Sequence, residues 1–290
     1  MSGIHYIRNQ ASLSEASVNY VTAHLAAIVL LGCPCYLVSP GPDPRPSAND
    51  LMKDVVANEL TDRKEHSNWM YRVTRVVDQR TLAQIEVETK DGPVYRLLRI
   101  NATRLDSAQQ EQETLRQEQL IRDPNRQLKV KQQNEADELR LESSVRLLPS
   151  AFLFEYDGWD GSDMRLSFRP DPSFVSSTME SKALQSMAGT ILVSPRQKRL
   201  ARISGHLVEN VDFGFGILGR IGKGGTFEIE RIQVSATHWK TQLVDIHVTG
   251  RMLLFKTISK QQHETRSDFE PMPMDLDLRR AEELLRSRPD

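Results

Sequence analysis

Short runs in which apolar and polar residues alternate make up much of the chain after residue 68. Three of them lie between Trp69 and Ile100, and the second places Ala83, Ile85 and Val87 on one side and polar residues on the other. A period of two predicts strands with side chains on alternate faces. The turn residues Lys90–Pro93 predict a hairpin between the second and third runs.

The same alternation returns after residue 151. It is seen in Phe152, Phe154 and Tyr156, in Met164, Leu166 and Phe168, and in Val244, Ile246 and Val248. Strands and helices do not alternate regularly along the chain, which argues against a doubly wound parallel sheet. The pattern therefore predicts an α+β, β-rich fold with one large, twisted, mostly antiparallel sheet and helices against one side.

Helical patterns precede and follow these strands. In Ala48–Leu60, Leu51 and Val55 recur at helical spacing, which predicts an opening helix. The run Leu276–Leu285 predicts a final helix after two prolines.

Residues 106–148 have a different composition, rich in Gln, Glu and Arg with sparse leucines. This predicts a charged helical insertion. Ser107 and Gln110 fit a capping box, and Asp123–Pro124 fits the start of a second helix. We interpret the insertion as a solvated excursion between two parts of the sheet. The alternative is a lid over a cavity or an arm that binds a partner protein.

The N-terminal region contains an apolar run, Leu25–Val38, of fourteen residues. A bilayer span needs about twenty, so the run fits the core of a signal peptide better. A buried helix is the alternative, and the proline-rich residues 40–47 argue against it because proline favours an extended tether. Export to the periplasm or outer membrane of a bacterium is therefore the expectation.

Both cysteines of the chain, Cys33 and Cys35, lie in this region. Leu30–Cys33 resembles a bacterial lipobox, whose cysteine is acylated, and an acylated Cys33 would hold the protein at a membrane surface. Without acylation the protein would be free in the periplasm. The rest of the chain can form neither a disulfide framework nor a cysteine-based metal site.

These patterns together predict the domain organisation. It comprises a signal peptide or lipoprotein signal (1–39), a tether (40–47), one β-rich domain (48–273) with the insertion 106–148, and a C-terminal helix (274–290).

Charge and motifs give little reason to expect catalysis. A net charge of -1 provides no overall attraction to nucleic acid. Gly214–Gly219 matches a dinucleotide-binding string, but a strand rather than a helix is predicted after it. We therefore predict no enzyme activity, no cofactor and no metal. The alternative is an unrecognised enzyme that uses Asp245, His247 or His263.

The segments Ala188–Gly205 (AGTILVSPRQKRLARISG) and Gly250–Lys256 (GRMLLFK) resemble strands of the LolA/LolB-like envelope proteins, which include outer-membrane lipoprotein-sorting proteins. Phe152–Gly158 (FLFEYDG) is similar to a sequence in a family of uncharacterised bacterial envelope proteins. The resemblance implies an incomplete β-barrel with helices on its concave side and an apolar cavity for acyl chains.

The leading hypothesis is a non-catalytic envelope protein that binds a lipid, an acyl chain or a lipoprotein. It places Phe213, Phe215, Met252 and Leu254 in the cavity wall, with ordinary core packing as the alternative for these residues. The second hypothesis is a structural lipoprotein whose segment 106–148 binds an envelope partner.

Overall fold

Thirteen strands and five helices form the part of the chain that the computed structural model describes, namely residues 45–65, 67–77, 79–213, 219–252 and 256–288. In chain order they are α1 (Ala48–Lys64), β1 (Asn68–Val77), β2 (Arg80–Val87), β3 (Val94–Ile100), β4 (Thr103–Arg104), α2 (Ser107–Arg122), α3 (Pro124–Ala151), β5 (Phe152–Asp160), β6 (Asp163–Pro170), α4 (Met179–Gln185), β7 (Met187–Ser194), β8 (Arg199–Leu207), β9 (Val211–Phe213), β10 (Gly219–Ile221), β11 (Thr226–Gln233), β12 (Trp239–Met252), β13 (Lys256–Met272) and α5 (Leu278–Ser287).

The strands form one antiparallel sheet in the order β4-β3-β2-β1-β13-β12-β11-β8-β7-β6-β5. The short strand β10 pairs with β12 and β9. The first and last strands meet inside the sheet, where Asn68 lies opposite Met272. The sheet ends at β4 and β5 and does not close into a barrel. This confirms the predicted β-rich α+β fold with a large, open antiparallel sheet.

Strand register defines two faces of the sheet, because residues directly opposite each other point to the same side. We call the inner face the one that carries the row Leu166, Ile191, Ile203, Ile229 and Val244, which are paired in turn from β6 to β12. The opposite side is the outer face.

Helix α1 packs on the inner face over β5, β6 and β7. Its buried residues Leu51, Met52 and Val55 join Phe152 and Ile191 in the first hydrophobic core. The helix begins at the N-cap Ser47, whose side chain accepts a hydrogen bond from the backbone of Asp50. Capping and an apolar stripe together fix the helix that the sequence predicted.

Helix α5 packs on the outer face. Leu278, Ala281 and Leu285 bury against Met70 and Val87 in the second core. Helices therefore pack on both faces of the sheet, and the prediction of helices on one side only is wrong. The reason is that the outward side of β1 and β2 is also apolar and needs a cover of its own.

The charged insertion forms helices α2 and α3 and is partly docked, because Leu120 and Ile121 pack against the second core. Asp123 caps α3 and Pro124 opens it, as predicted. The capping box of α2 lies one residue earlier than predicted. It consists of Asp106 and Gln109, because Gln110 instead donates to the carbonyl of the preceding loop.

Helix side chains occupy hydrogen-bonding positions at both ends of the sheet. Asn49 of α1 donates to the Phe152 carbonyl at 3.3 Å and accepts from the Phe154 amide at 3.1 Å. At the other end, the Leu97 amide of β3 donates to Glu113 of α2 at 2.9 Å. Such contacts block further strand addition at these points, which is a common way to protect exposed edges.

Close packing between β7 and β8 depends on Gly189. A side-chain carbon at this position would collide with the Ser204 carbonyl oxygen and lie 2.5 Å from the Cα of Gly205. We expect Gly189→Ala to lower the free energy of unfolding by about 1–3 kcal/mol, because backbone atoms cannot move aside cheaply. Denaturant titration would measure the loss. Gly222→Ala is the control, since its added carbon would lie 3.3 Å from the nearest atom, and an equal loss there would contradict the packing argument.

Candidate binding site

A strip of partly exposed apolar side chains runs along β11 and β12 on the inner face. The apolar strip consists of Phe227, Ile229, Val244, Ile246 and Val248. At one end it is continuous with the first core, against which Phe227 packs. Side chains that are this apolar are normally buried when they lie on the core side of a sheet. The strip is therefore a surface on which an apolar ligand could gain burial.

A cluster of charged residues adjoins the strip on the same face. Glu264 of β13 lies opposite Val244 of the strip, and Arg75 of β1 lies opposite Glu264. We call this group the arginine–glutamate cluster: Tyr71, Arg75, Glu86, Glu264 and Arg266. It connects β1, β2 and β13 through side chains.

Hydrogen bonds hold this cluster together. The Tyr71 hydroxyl donates to Glu86 at 2.9 Å, Arg75 donates to Glu86 at 3.3 Å, and Arg266 Nε donates to Glu264 at 2.8 Å. Burial, and then the negative charge of Glu86, raises the pKa of Tyr71 well above its ordinary value. The tyrosine therefore stays neutral and acts as a donor.

The polar side of β2 is thus buried rather than solvated, in contrast to the simple alternation read from the sequence. Gln84 and Glu86 are 4% and 9% exposed. They are buried because the sheet places Tyr71 and Arg75 of the neighbouring strand against them. Charged residues tolerate burial when paired in this way.

A second buried charge cluster anchors α1 to the sheet. We call it the helix anchor, and its members are Glu59, Asp62, Arg199, Arg231 and His238. Glu59 accepts from Arg199 Nε at 3.0 Å and pairs with Arg231, and Asp62 Oδ1 lies 2.7 Å from His238 Nδ1. Arg199 is only 5% exposed. Arg199 lies in the basic segment 194–202 (SPRQKRLAR), a composition that is usual for a solvated hairpin. It is nevertheless buried because it pairs with Glu59 and Asp62 of α1.

The helix anchor gives a prediction for acid stability. Burial alone would raise the pKa of Glu59 and the pKa of Asp62. The charges of Arg231 and Arg199 lower the pKa of Glu59 by more than burial raises it, and the contacts with Arg199 and His238 do the same for Asp62. Both pKa values therefore lie below their ordinary values of 4.5 and 3.8. A carboxyl group whose pKa is lower in the folded state than in the unfolded state stabilises the fold at pH values above its ordinary pKa. This contribution is lost as the pH falls through the folded-state pKa. We expect the free energy of unfolding to decrease when the pH is lowered below about 4–5.

Denaturant titrations at several pH values would measure this loss. The control is the double variant Glu59→Gln, Asp62→Asn, in which neither side chain can ionise. Its unfolding free energy should be less pH-dependent in the same window. An acid dependence identical to that of the unmodified protein would contradict the assignment.

The structure brings together the three residues named for the enzyme alternative. Asp245 Oδ2 lies 3.1 Å from His247 Nε2, and Asp245 Oδ1 lies 3.0 Å from His263 Nδ1. Burial disfavours the Asp245 carboxylate, but hydrogen bonding to His263 and the nearby His247 lower its pKa overall. Both histidines are about half exposed, on the outer face. Within the described ranges, no group of three or more His, Cys, Asp or Glu residues has a geometry suited to a metal ion.

Two of the ligand-contacting residues predicted from the sequence, Phe213 and Met252, are among the described residues, and both lie at the end of a strand. Phe213 ends β9 and Met252 ends β12, and both pair with Gly219 of β10. Their backbones therefore form one row with Gly219 between them. Phe215, Leu254 and the predicted lipidation residue Cys33 lie outside the described residues.

The alternation of Val244, Ile246 and Val248 predicts a strand but does not identify these residues as part of a site. The alternation that reveals the strand is the same for a covered core and for an accessible strip, so exposure could be read only from the structure. The buried charge clusters could not be predicted for a different reason, since each joins segments more than a hundred residues apart, as Glu59 with Arg199 and Arg75 with Glu264 show.

In the described part of the chain, no helix has both the length and the apolar character needed to cross a membrane. Comparison with protein-family models, curated proteins and solved structures finds no match to this chain. The resemblance to LolA/LolB-like proteins therefore stays a prediction, and function has to be argued from the inner face itself.

Proposed function

We propose that this protein is a non-catalytic binding protein of the bacterial cell envelope that holds a lipid, an acyl chain or the acyl part of a lipoprotein against its inner face. The apolar strip carries the proposal. Its side chains are partly exposed although they face the core side of the sheet. An acyl chain laid along them would be stabilised by roughly 25 cal/mol per Å² of apolar surface removed from water.

The shape of the fold supports this ligand class. The sheet is open rather than closed, and α1 covers β5, β6 and β7 while the strip lies further along on β11 and β12. Along β12 the strip extends about 13 Å, from Val244 to Val248, at 3.3–3.4 Å per residue, and the strand continues beyond it to Met252. A narrow apolar track suits an extended acyl chain better than a compact polar metabolite. The row of Phe213 and Met252 lies at its far end.

Uptake of a fluorescent fatty acid tests the proposal. Delipidated full-length protein is titrated with a dansyl-labelled fatty acid, and we expect saturable enhancement of fluorescence that unlabelled acyl chains compete away. Enhancement that does not saturate, or that no acyl chain displaces, would contradict acyl-chain binding.

The proposed location rests on the N-terminal sequence, which lies outside the described residues. The apolar run, the lipobox-like Leu30–Cys33 and the proline-rich tether would deliver the domain to the periplasmic side and hold it at a membrane surface. In a bacterial host, Cys33→Ser should then move the protein from the membrane fraction to the soluble periplasmic fraction. A protein that stays cytoplasmic with its N-terminus uncleaved would contradict export.

A second function, partner binding by the helical insertion, is favoured by one observation. Four leucines of α2 and α3 are between 43% and 64% exposed: Leu115, Leu128, Leu139 and Leu141. Leu128 and Leu139 are about three turns apart and so lie on the same side of α3. Exposed leucines on one helix side are a typical contact surface for another protein.

Point substitutions test this second function better than removal of the whole insertion, which would also take Leu120 and Ile121 from the second core. Leu128→Ser with Leu139→Ser should abolish capture of an envelope partner without loss of stability. Identical captured partners for the variant and the unmodified protein would eliminate the hypothesis.

A further inference from the structure

The arginines of the arginine–glutamate cluster are its most accessible charged members. The side chains of Arg75 and Arg266 are 32% and 27% exposed, whereas those of Glu86 and Glu264 are 11% and 7% exposed. A molecule that approaches along the inner face therefore meets guanidinium groups before it meets carboxylates.

Arg75 also retains hydrogen-bonding capacity. Arg75 Nε is buried but donates no hydrogen bond, and the Glu264 oxygen with which it forms an ion pair is 3.5 Å away. A guanidinium has five N–H donors in a planar fork. An unused buried donor costs free energy, so a small rotation of the partly exposed guanidinium that let Nε donate to a ligand oxygen would be favoured.

The arginine–glutamate cluster lies close to the apolar strip on the inner face. Val244 of the strip lies opposite Glu264, which lies opposite Arg75. Two inter-strand steps separate Val244 from Arg75, a distance of about 10 Å. Apolar contacts and an unused cationic donor thus lie side by side on one face.

We propose that Arg75 and Arg266 bind the anionic head group of an amphiphile whose acyl chain lies on the apolar strip. This inference rests on the proposed function and specifies its ligand class: single-chain amphiphiles that end in a carboxylate or a phosphate. Guanidinium groups match both anions through paired N–H donors. The cluster contains two arginines and two glutamates, so the head group binds through donors that the glutamates leave unused.

The test compares ligands that differ only in their head group. Full-length delipidated protein is loaded with N-phenyl-1-naphthylamine, an uncharged apolar probe, and the probe is displaced with dodecanoate, dodecyl phosphate or dodecanol. We expect at least one anion to displace the probe at a concentration roughly tenfold or more below that of dodecanol, the range of a charge-assisted hydrogen bond. The anion that does so identifies the head group.

Substitution of Arg75 assigns the effect to the cluster. Arg75→Gln should remove the advantage of the anion while dodecanol displaces the probe as before, and Arg75→Lys should keep part of the advantage. Arg72→Gln is the matched control, because Arg72 lies on the outer face of the same strand and is 45% exposed.

The possible results separate the two proposals. Equal displacement by dodecanol and both anions would overturn the head-group site but leave acyl-chain binding in place. An anion preference that survives Arg75→Gln would overturn its assignment to this cluster. A probe that no twelve-carbon ligand displaces would overturn acyl-chain binding itself. If Arg75→Gln does not fold, Arg75→Lys takes its place, and an anion preference equal to that of the unmodified protein would then overturn the assignment.

Discussion

Replacing Glu59 with alanine should lower the free energy of unfolding by about 3–5 kcal/mol, as expected when one partner is removed from a buried charge cluster. Glu59 accepts from Arg199 and pairs with Arg231, whose side chains are 7% and 12% exposed. Alanine would leave both arginines buried with less compensating charge. Burial already lowers the pKa of Arg231 despite the attraction of Glu59. Denaturant titration at neutral pH would measure the change.

The chain offers a matched control on the same helix. Asp54 of α1 pairs with Lys198, and both side chains are about half exposed. An exposed ion pair contributes about 0–1 kcal/mol, so Asp54→Ala should change stability little. Comparable losses for Asp54→Ala and Glu59→Ala would mean that the buried anchor has no special role.

Acyl-chain binding should weaken roughly thirtyfold in the double variant Ile246→Thr, Val248→Thr. The changes remove apolar carbon from the apolar strip and add hydroxyl groups, at a cost of about 2 kcal/mol in binding. Threonine is also β-branched, so the strand itself should persist. The measurement is the dissociation constant for the dansyl-labelled fatty acid.

Leu243→Thr provides the comparison for that experiment. Leu243 lies in the same strand but alternates to the outer face, and it is also only partly exposed. Its replacement should affect the fold to a similar degree while leaving fatty-acid affinity unchanged. An equal loss of affinity in both variants would indicate a general effect on β12 rather than contact with the ligand.

The elements of this fold could be predicted from sequence where local chemistry decides them. Asp123 and Pro124 start α3 as expected, since capping and the fixed φ of proline act within a single turn. The runs around Ile85 and Phe154 were recognised as strands from their alternation alone. Strand order was not predictable, because pairing of β1 with β13 depends on residues some two hundred positions apart.

Little of the candidate site could be predicted from the sequence, and its ligand class stays a proposal. Phe213 and Met252 lie at the far end of the strip, whereas the strip itself needed the structure to show which strand residues remain accessible. Arg75 and Glu264 look like ordinary solvated charges in the sequence. Their partnership arises from register between distant strands, which no local pattern records.

The position of β1 beside β13 has a consequence for biosynthesis. Strands β1 to β4 are made early, but one side of β1 is completed only by the strand that ends at Met272. Loop closure over such a separation is slow, and the sheet cannot be completed before the chain has been synthesised as far as Met272. Folding of this domain should therefore be a late and cooperative event, with the early strands vulnerable to proteases and chaperone-dependent until the C-terminal hairpin arrives.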